Sequence, residues 1–257
     1  MSDFLAYVEA NLKQRGIKLS AFYNPNDAFE KRIMKDYGAA FLNPDLNIKL
    51  PPRCRFADAA EHKKYLDSLT IKEDTIGAKR FKLQKAAMES LKRVEKKAGK
   101  LGLVGDDSAA RTYQKVQDNW DNRVVKGAEK WRGKKNAKGE AFSEDDYKYL
   151  VDKKNSGPDQ VRRVLALESK GFLFHSEGRS ITVLVALPGG SQHLLLTAVD
   201  IDNATLIHSE LEAEGWFRTV LGDRPHYTYL AMKKADLKAH GLKQGTFDKL
   251  EFWHPDM

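Results

Sequence analysis

The chain reads as an α+β protein: a small, largely antiparallel sheet with flanking helices, plus additional helices at the amino-terminal end and within an insertion. Three observations lead there. Before Gly171, apolar residues recur mostly at helical spacing. After it, the apolar segments become short, β-branched or aromatic, and bounded by Gly, Pro or charge. Helices first and strands later do not give the regular alternation of βαβ units.

Residues 3–14 are predicted as a short amphipathic helix, with Leu5, Val8 and Leu12 on one side and Ser2 or Asp3 as its cap. Asn24-Pro25-Asn26-Asp27 marks a turn and the start of a second helix that runs to about Tyr37. Asn43-Pro44 and Leu50-Pro51-Pro52 break the chain, so residues 38–56 are expected to be irregular. Over 79–98, Leu83, Ala87, Leu91, Val94 and Ala98 recur at helical spacing with lysines on the other sides, which predicts the clearest helix. Gly99, Gly102 and Gly105 punctuate its end around the short apolar piece Leu101–Val104.

Residues 114–170 are expected to be mostly helical. Trp120, Val124, Ala128 and Trp131 share a face, and Gly133 to Gly139 is a basic connection. Ser143-Glu144-Asp145-Asp146 opens a helix with an acidic first turn. Asn155-Ser156-Gly157-Pro158 breaks the chain before a helix from Asp159 that carries Val161, Val164, Leu165 and Leu167. Strands are expected at Phe172-Leu173-Phe174, Ile181–Leu187, Leu194–Ile201 and Tyr227–Met232, with Ser209–Glu214 in a short helix. Trp216-Phe217, Tyr227 and Tyr229 either wall a cleft or fill the core.

The formal charge of +8 favours anionic partners such as nucleic acid, lipid headgroups or wall polymers. Residues 79–100 hold nine Lys/Arg against Glu89 and Glu95, and residues 126–138 hold six against Glu129. Such runs are ordinarily solvated helix faces. No base-reading motif accompanies them, so nucleic acid is not an expected partner. No apolar run approaches the ~20 residues of a membrane span, and no transmembrane segment is expected. Met1-Ser2-Asp3-Phe4-Leu5 lacks the basic region and apolar core of a signal peptide, so either the protein is made in the cytoplasm or an export signal has been removed. The single cysteine, Cys54, excludes an intramolecular disulfide and a Cys-rich zinc site.

His193, Asp200 and His226 supply two imidazoles and a carboxylate, with Asp223 as a spare carboxylate three residues before the last imidazole. Structural zinc is usually enclosed by four protein ligands, whereas catalytic zinc keeps three and leaves a place for water. The set here fits the second kind and points to a metallohydrolase, with Asp223 near the water. Glu251-Phe252-Trp253-His254 repeats the acidic-x-x-His spacing and is a rival for the last ligand, ranked lower because the chain ends just after it.

Ser191-Gln192-His193-Leu194-Leu195-Leu196-Thr197-Ala198-Val199-Asp200 resembles the Ser-x-His-x-x-Gly-x-Ala-x-Asp motif of the zinc D-alanyl-D-alanine peptidases. Their relatives include phage wall endopeptidases and the hedgehog amino-terminal domain. Ser191, His193, Ala198 and Asp200 match, and Leu196 stands where the family usually has Gly. Asp223-Arg224-Pro225-His226-Tyr227 resembles the family's acidic-x-x-His element, and Arg111-Thr112-Tyr113-Gln114 with Gln117 its Arg-Ser/Thr element. The likeness runs from about residue 75 to 233 through a long insertion.

The resemblance implies a zinc peptidase-like catalytic domain over 71–257 with a helical insertion at 118–170, and leaves 1–70 as a helical amino-terminal extension. It implies Zn2+ on His193, Asp200 and His226, Asp223 and Arg111 as catalytic groups, and Ser191, Gln117 and Tyr113 as substrate-binding residues. The implied reaction is hydrolysis of a D-Ala-D-Ala or similar bond in peptidoglycan stem peptides, in the cell envelope. A non-catalytic, zinc-containing wall-binding protein on the same scaffold is the alternative.

Overall fold

A computed structural model of the chain describes residues 2–105, 108–175 and 177–257. It is α+β, with three small antiparallel sheets set among helices. Helix α1 (Asp3–Gln14) starts at Ser2, whose side chain accepts from the Leu5 N–H. Its buried stripe is Phe4, Val8, Asn11 and Leu12. Leu5 is only partly buried, because Phe4 takes the inward position one residue earlier. A short helix, α2 (Leu19–Phe22), precedes α3 (Ala28–Tyr37), which is capped by Asp27 and ends where the sequence predicts. Gly38–Leu42 then forms a buried 3-10 turn, α4 (Ala59–Leu66) follows, and the intervening segment is irregular.

The clearest departure from the sequence reading lies at 71–84. Strands β1 (Ile71–Ile76) and β2 (Lys79–Gln84) form a hairpin with Ile76 opposite Lys79 and Ile71 opposite Gln84. Helix α5 (Lys85–Ala98) therefore begins six residues later than its periodicity indicated. Phe81 and Leu83 face the core while Arg80 and Lys82 face out, an alternation of period two. Over so short a run Leu83 satisfies both periods, and Gly77 at φ +59° makes the turn that decides for the hairpin.

Helices α6 (Tyr113–Trp131), α7 (Glu144–Val151) and α8 (Pro158–Ser169) fill the predicted helical stretch. Val116, Trp120, Val124 and Ala128 are the buried face of α6, Ser143 caps α7, and Pro158 occupies the first turn of α8. Two expected strands do not form. Phe172–Phe174 is irregular and Ile181–Val183 is a 3-10 turn. Glu168 accepts from the Phe174 N–H at 3.2 Å and the Ile181 N–H at 2.7 Å, so part of this backbone is satisfied without a ladder.

The sheet that carries Asp200 and His226 is β3 (Ala198–Asp200), β5 (His226–Tyr229) and β4 (Trp216–Phe217), in the order β3-β5-β4. Helix α9 (His208–Ala213) lies between β3 and β4 in the chain. After α10 (Lys234–Leu237), β6 (Leu242–Phe247) and β7 (Leu250–Pro255) make a hairpin that sequence patterning did not reveal. Trp216, Phe217, Tyr227 and Tyr229 are all buried and belong to the core. That core is contiguous from Phe4 and Val8 to Leu242 and Trp253. No helix among the described residues is long and apolar enough to cross a membrane.

The segment leading into the central sheet is pinned at Gly189. Its φ is +72°, and a Cβ there would lie 2.1 Å from the Phe56 carbonyl oxygen, while the Phe56 N–H donates to Gly189 O at 3.0 Å. Gly189→Ala is expected to lower stability by about 2–4 kcal/mol, measured by urea unfolding. An unchanged unfolding midpoint would show that the two backbones separate without cost.

Candidate metal centre

Antiparallel pairing of β3 with β5 sets Asp200 directly opposite His226. His193 reaches the same point from a 3-10 turn, Gln192–Leu195, that precedes β3. The turn ends at Leu196, which is left-handed at φ 54° and ψ 37°. That is a conformation glycine adopts at no steric cost and leucine at some. The Gln84 N–H donates to Leu196 O at 3.0 Å and its side-chain amide to Leu195 O at 2.8 Å, so β2 holds the turn in place.

Three inward atoms result. His193 Nε2 and His226 Nδ1 are 3.1 Å apart, and each is 3.2 Å from Asp200 Oδ1. All three residues are buried. His193 Nδ1 faces Ala109 O at 3.4 Å and His226 Nε2 faces Gln192 Oε1 at 2.7 Å. Both outer nitrogens thus face acceptors, so neutral imidazoles carry their protons outward and aim lone pairs at each other and at the carboxylate. Donors around a tetrahedral zinc, at about 2.0–2.2 Å each, stand about 3.4 Å from one another. The residues fit such an ion in donor type, spacing and orientation.

A loop before α6 buttresses the triad. The Asp200 N–H donates to Ser108 O at 2.7 Å, and Arg111 Nη2 donates to Asp200 Oδ2 at 2.5 Å. With Ala109 O behind His193, three residues of this loop hold two of the ligands. Outer contacts of this kind fix ligand orientation.

Burial pushes the His193 imidazole down to about 4, despite the nearby Asp200 carboxylate. Burial favours the neutral form of Asp200, but a proton entering among the three atoms is held by the imidazoles of His193 and His226 rather than by the carboxyl, which lies well below the usual carboxylate range. His193 is therefore a neutral imidazole beside an ionised carboxylate at neutral pH, the ligand forms that bind a divalent ion. Asp223 is raised above an ordinary carboxyl, by burial first and the Asp200 charge second, with His226 and Arg111 opposing.

His193, His226, Asp223, Arg111 and Ser191 share one narrow cavity of about 70 Å³. Tyr37, Val116, Asn119 and the 182–186 strap complete its wall. Tyr113 and Gln117 lie elsewhere. The Tyr113 hydroxyl donates to Ala57 O at 3.0 Å, and the Gln117 amide donates to Asp121 at 3.0 Å and Ser156 at 2.8 Å. Gln117 follows Val116 and so turns about 100° away from it on the helix. Sequence reasoning missed Gln192, Tyr37 and Asn119. Only Gln192 carried a signal, its place between Ser191 and His193.

The rival His254 sits on β7 beside Gly245, away from the triad. Glu251 instead joins His208 and Glu212 in a second cluster. There Lys234 Nζ lies 3.1 Å from Glu212 Oε1 and 2.6 Å from Glu251 Oε1, so an ammonium already supplies the cation. No protein-family model, curated protein or solved structure matches the chain.

With chelator present, an unfolded chain takes up a proton on His193 at about 6.5, whereas the folded chain does so only near 4. Stability is then fully present above pH ~6.5 and declines by up to about 3 kcal/mol as pH falls towards 4. Denaturant midpoints measured across that range should show the decline, and His193→Gln should flatten it.

Proposed function

We propose that this protein is a zinc-dependent hydrolase that cleaves an amide bond, with His193, Asp200 and His226 holding the ion. The observation that carries the reading is the convergence of three buried lone-pair donors beside a second, separate carboxylate, Asp223. Bound zinc supplies a Lewis acid and brings the pKa of its water to about 7. Asp223, which lines the same cavity, would accept the proton of a water there and return it to the leaving amine. Its raised pKa brings the acceptor nearer the working pH, which suits a group that must both take and give a proton. Arg111 holds Asp200 in its ligating orientation and adds fixed positive charge to the cavity wall, favouring an anionic group or a developing oxyanion.

The substrate class, a D-Ala-D-Ala or similar bond of a peptidoglycan stem peptide, rests on the motif resemblance. The left-handed Leu196 supports that resemblance, since it stands in the position where the motif has glycine. Zinc analysis of the purified protein is expected to give about one ion per chain. His193→Ala and His226→Ala should lose it and His254→Ala should keep it; loss only with His254→Ala would sink the assignment. Asp223→Asn should retain zinc but release D-alanine or shortened stems from muropeptides about 10²–10⁴-fold more slowly.

A second reading, a wall-binding protein in which zinc is structural, draws on the size of the cavity. About 70 Å³ holds roughly two waters and no peptide. Binding to purified walls that survives Asp223→Ala, with no turnover by the unmutated protein, would favour it.

A further inference from the structure

We infer that Gln192 is a positioning residue that sets the tautomer of His226, leaving Nδ1 as the inward lone pair. The consequence for metal binding rests on the zinc reading above; the tautomer itself does not.

Gln192 is buried on the same 3-10 turn as His193, with its side chain turned to the other imidazole. Its Nε2 lies 2.7 Å from the carbonyl oxygen of Tyr37, at the end of α3. A carbonyl only accepts, so the amide NH2 must face Tyr37 and the amide oxygen must face away. That oxygen meets His226 Nε2 at 2.7 Å, the hydroxyl of Thr228, and Thr219 Oγ1 at 3.2 Å. An oxygen has only lone pairs to offer, so His226 Nε2 must carry its proton, and a neutral ring then has no proton on Nδ1. Reversing the amide would turn its NH2 towards Nε2 and drive the ring proton to Nδ1. There it would point at His193 Nε2 and Asp200 Oδ1, where an ion would sit. Every group in this chain is buried, so no bulk solvent competes for the contacts.

The test is the nitrogen-15 imidazole spectrum of the chelator-treated protein, followed by zinc titration. In alkaline solution, where an imidazole ring is neutral, the unmutated protein is expected to show His226 protonated on Nε2 alone. Gln192→Met removes the acceptor at similar length and should populate the Nδ1-protonated form and weaken zinc binding about 10–100-fold. Thr228→Val disturbs the same buried network but leaves the Gln192 oxygen, and should keep the tautomer. A proton on Nδ1 in the unmutated protein overturns the inference, as does an unchanged tautomer in Gln192→Met. If Gln192→Met does not fold, the unmutated spectrum decides alone. An Nε2-protonated His226 that shifts in Gln192→Met, in a protein that takes up no zinc, upholds the role of Gln192 and fails the zinc reading instead.

Discussion

Three acceptor atoms held 3.1–3.2 Å from one another in a buried pocket repel unless a cation lies among them. One proton can bridge at most two of them; a divalent ion satisfies all three. Much of the surrounding structure serves to keep those atoms facing each other against that repulsion. Gln192 and Ala109 fix the outer nitrogens, Arg111 takes the second carboxylate oxygen, and Ser108 ties the Asp200 backbone.

The holders come from distant parts of the chain. Tyr37 fixes the amide of Gln192 across 155 residues, and the Ser108–Arg111 loop reaches β3 across about ninety. The amino-terminal helices are therefore joined to the site by hydrogen bonds as well as by the shared core. Arg32 and the Tyr37 hydroxyl also bond to the 180–185 segment that roofs the cavity, and Glu168 of α8 holds its start. Helices α3 and α8 thus both hold the 180–185 segment, which lines the cavity beside the three clustered side chains.

The basic excess has a local explanation. Along α5 and the hairpin before it, Lys92 pairs with Glu95 and Asp74, Arg93 and Lys97 with Glu214, and Arg80 and Lys82 with Glu73. These are exposed pairs worth little each. They nevertheless divide the positive charge among acidic partners instead of gathering it into one strip.

Sequence alone determined the elements whose signals are local. Side-chain caps at Ser2, Asp27 and Ser143 and the apolar stripe of α6 marked helices, because capping and helical periodicity act within a few residues. The spacing of His193 to Asp200, and the turn before His226, singled out three side chains that the structure brings together. Tertiary structure decided what depends on partners far along the chain. Ile181–Val183 formed no strand, because Glu168 accepts from its backbone. Tertiary structure brought His226 rather than His254 to His193 and Asp200, because β5 lies beside β3. It also turned Gln192 rather than Gln117 towards His226, since a side chain's direction is set by the surface it packs against, and no local pattern encodes that surface.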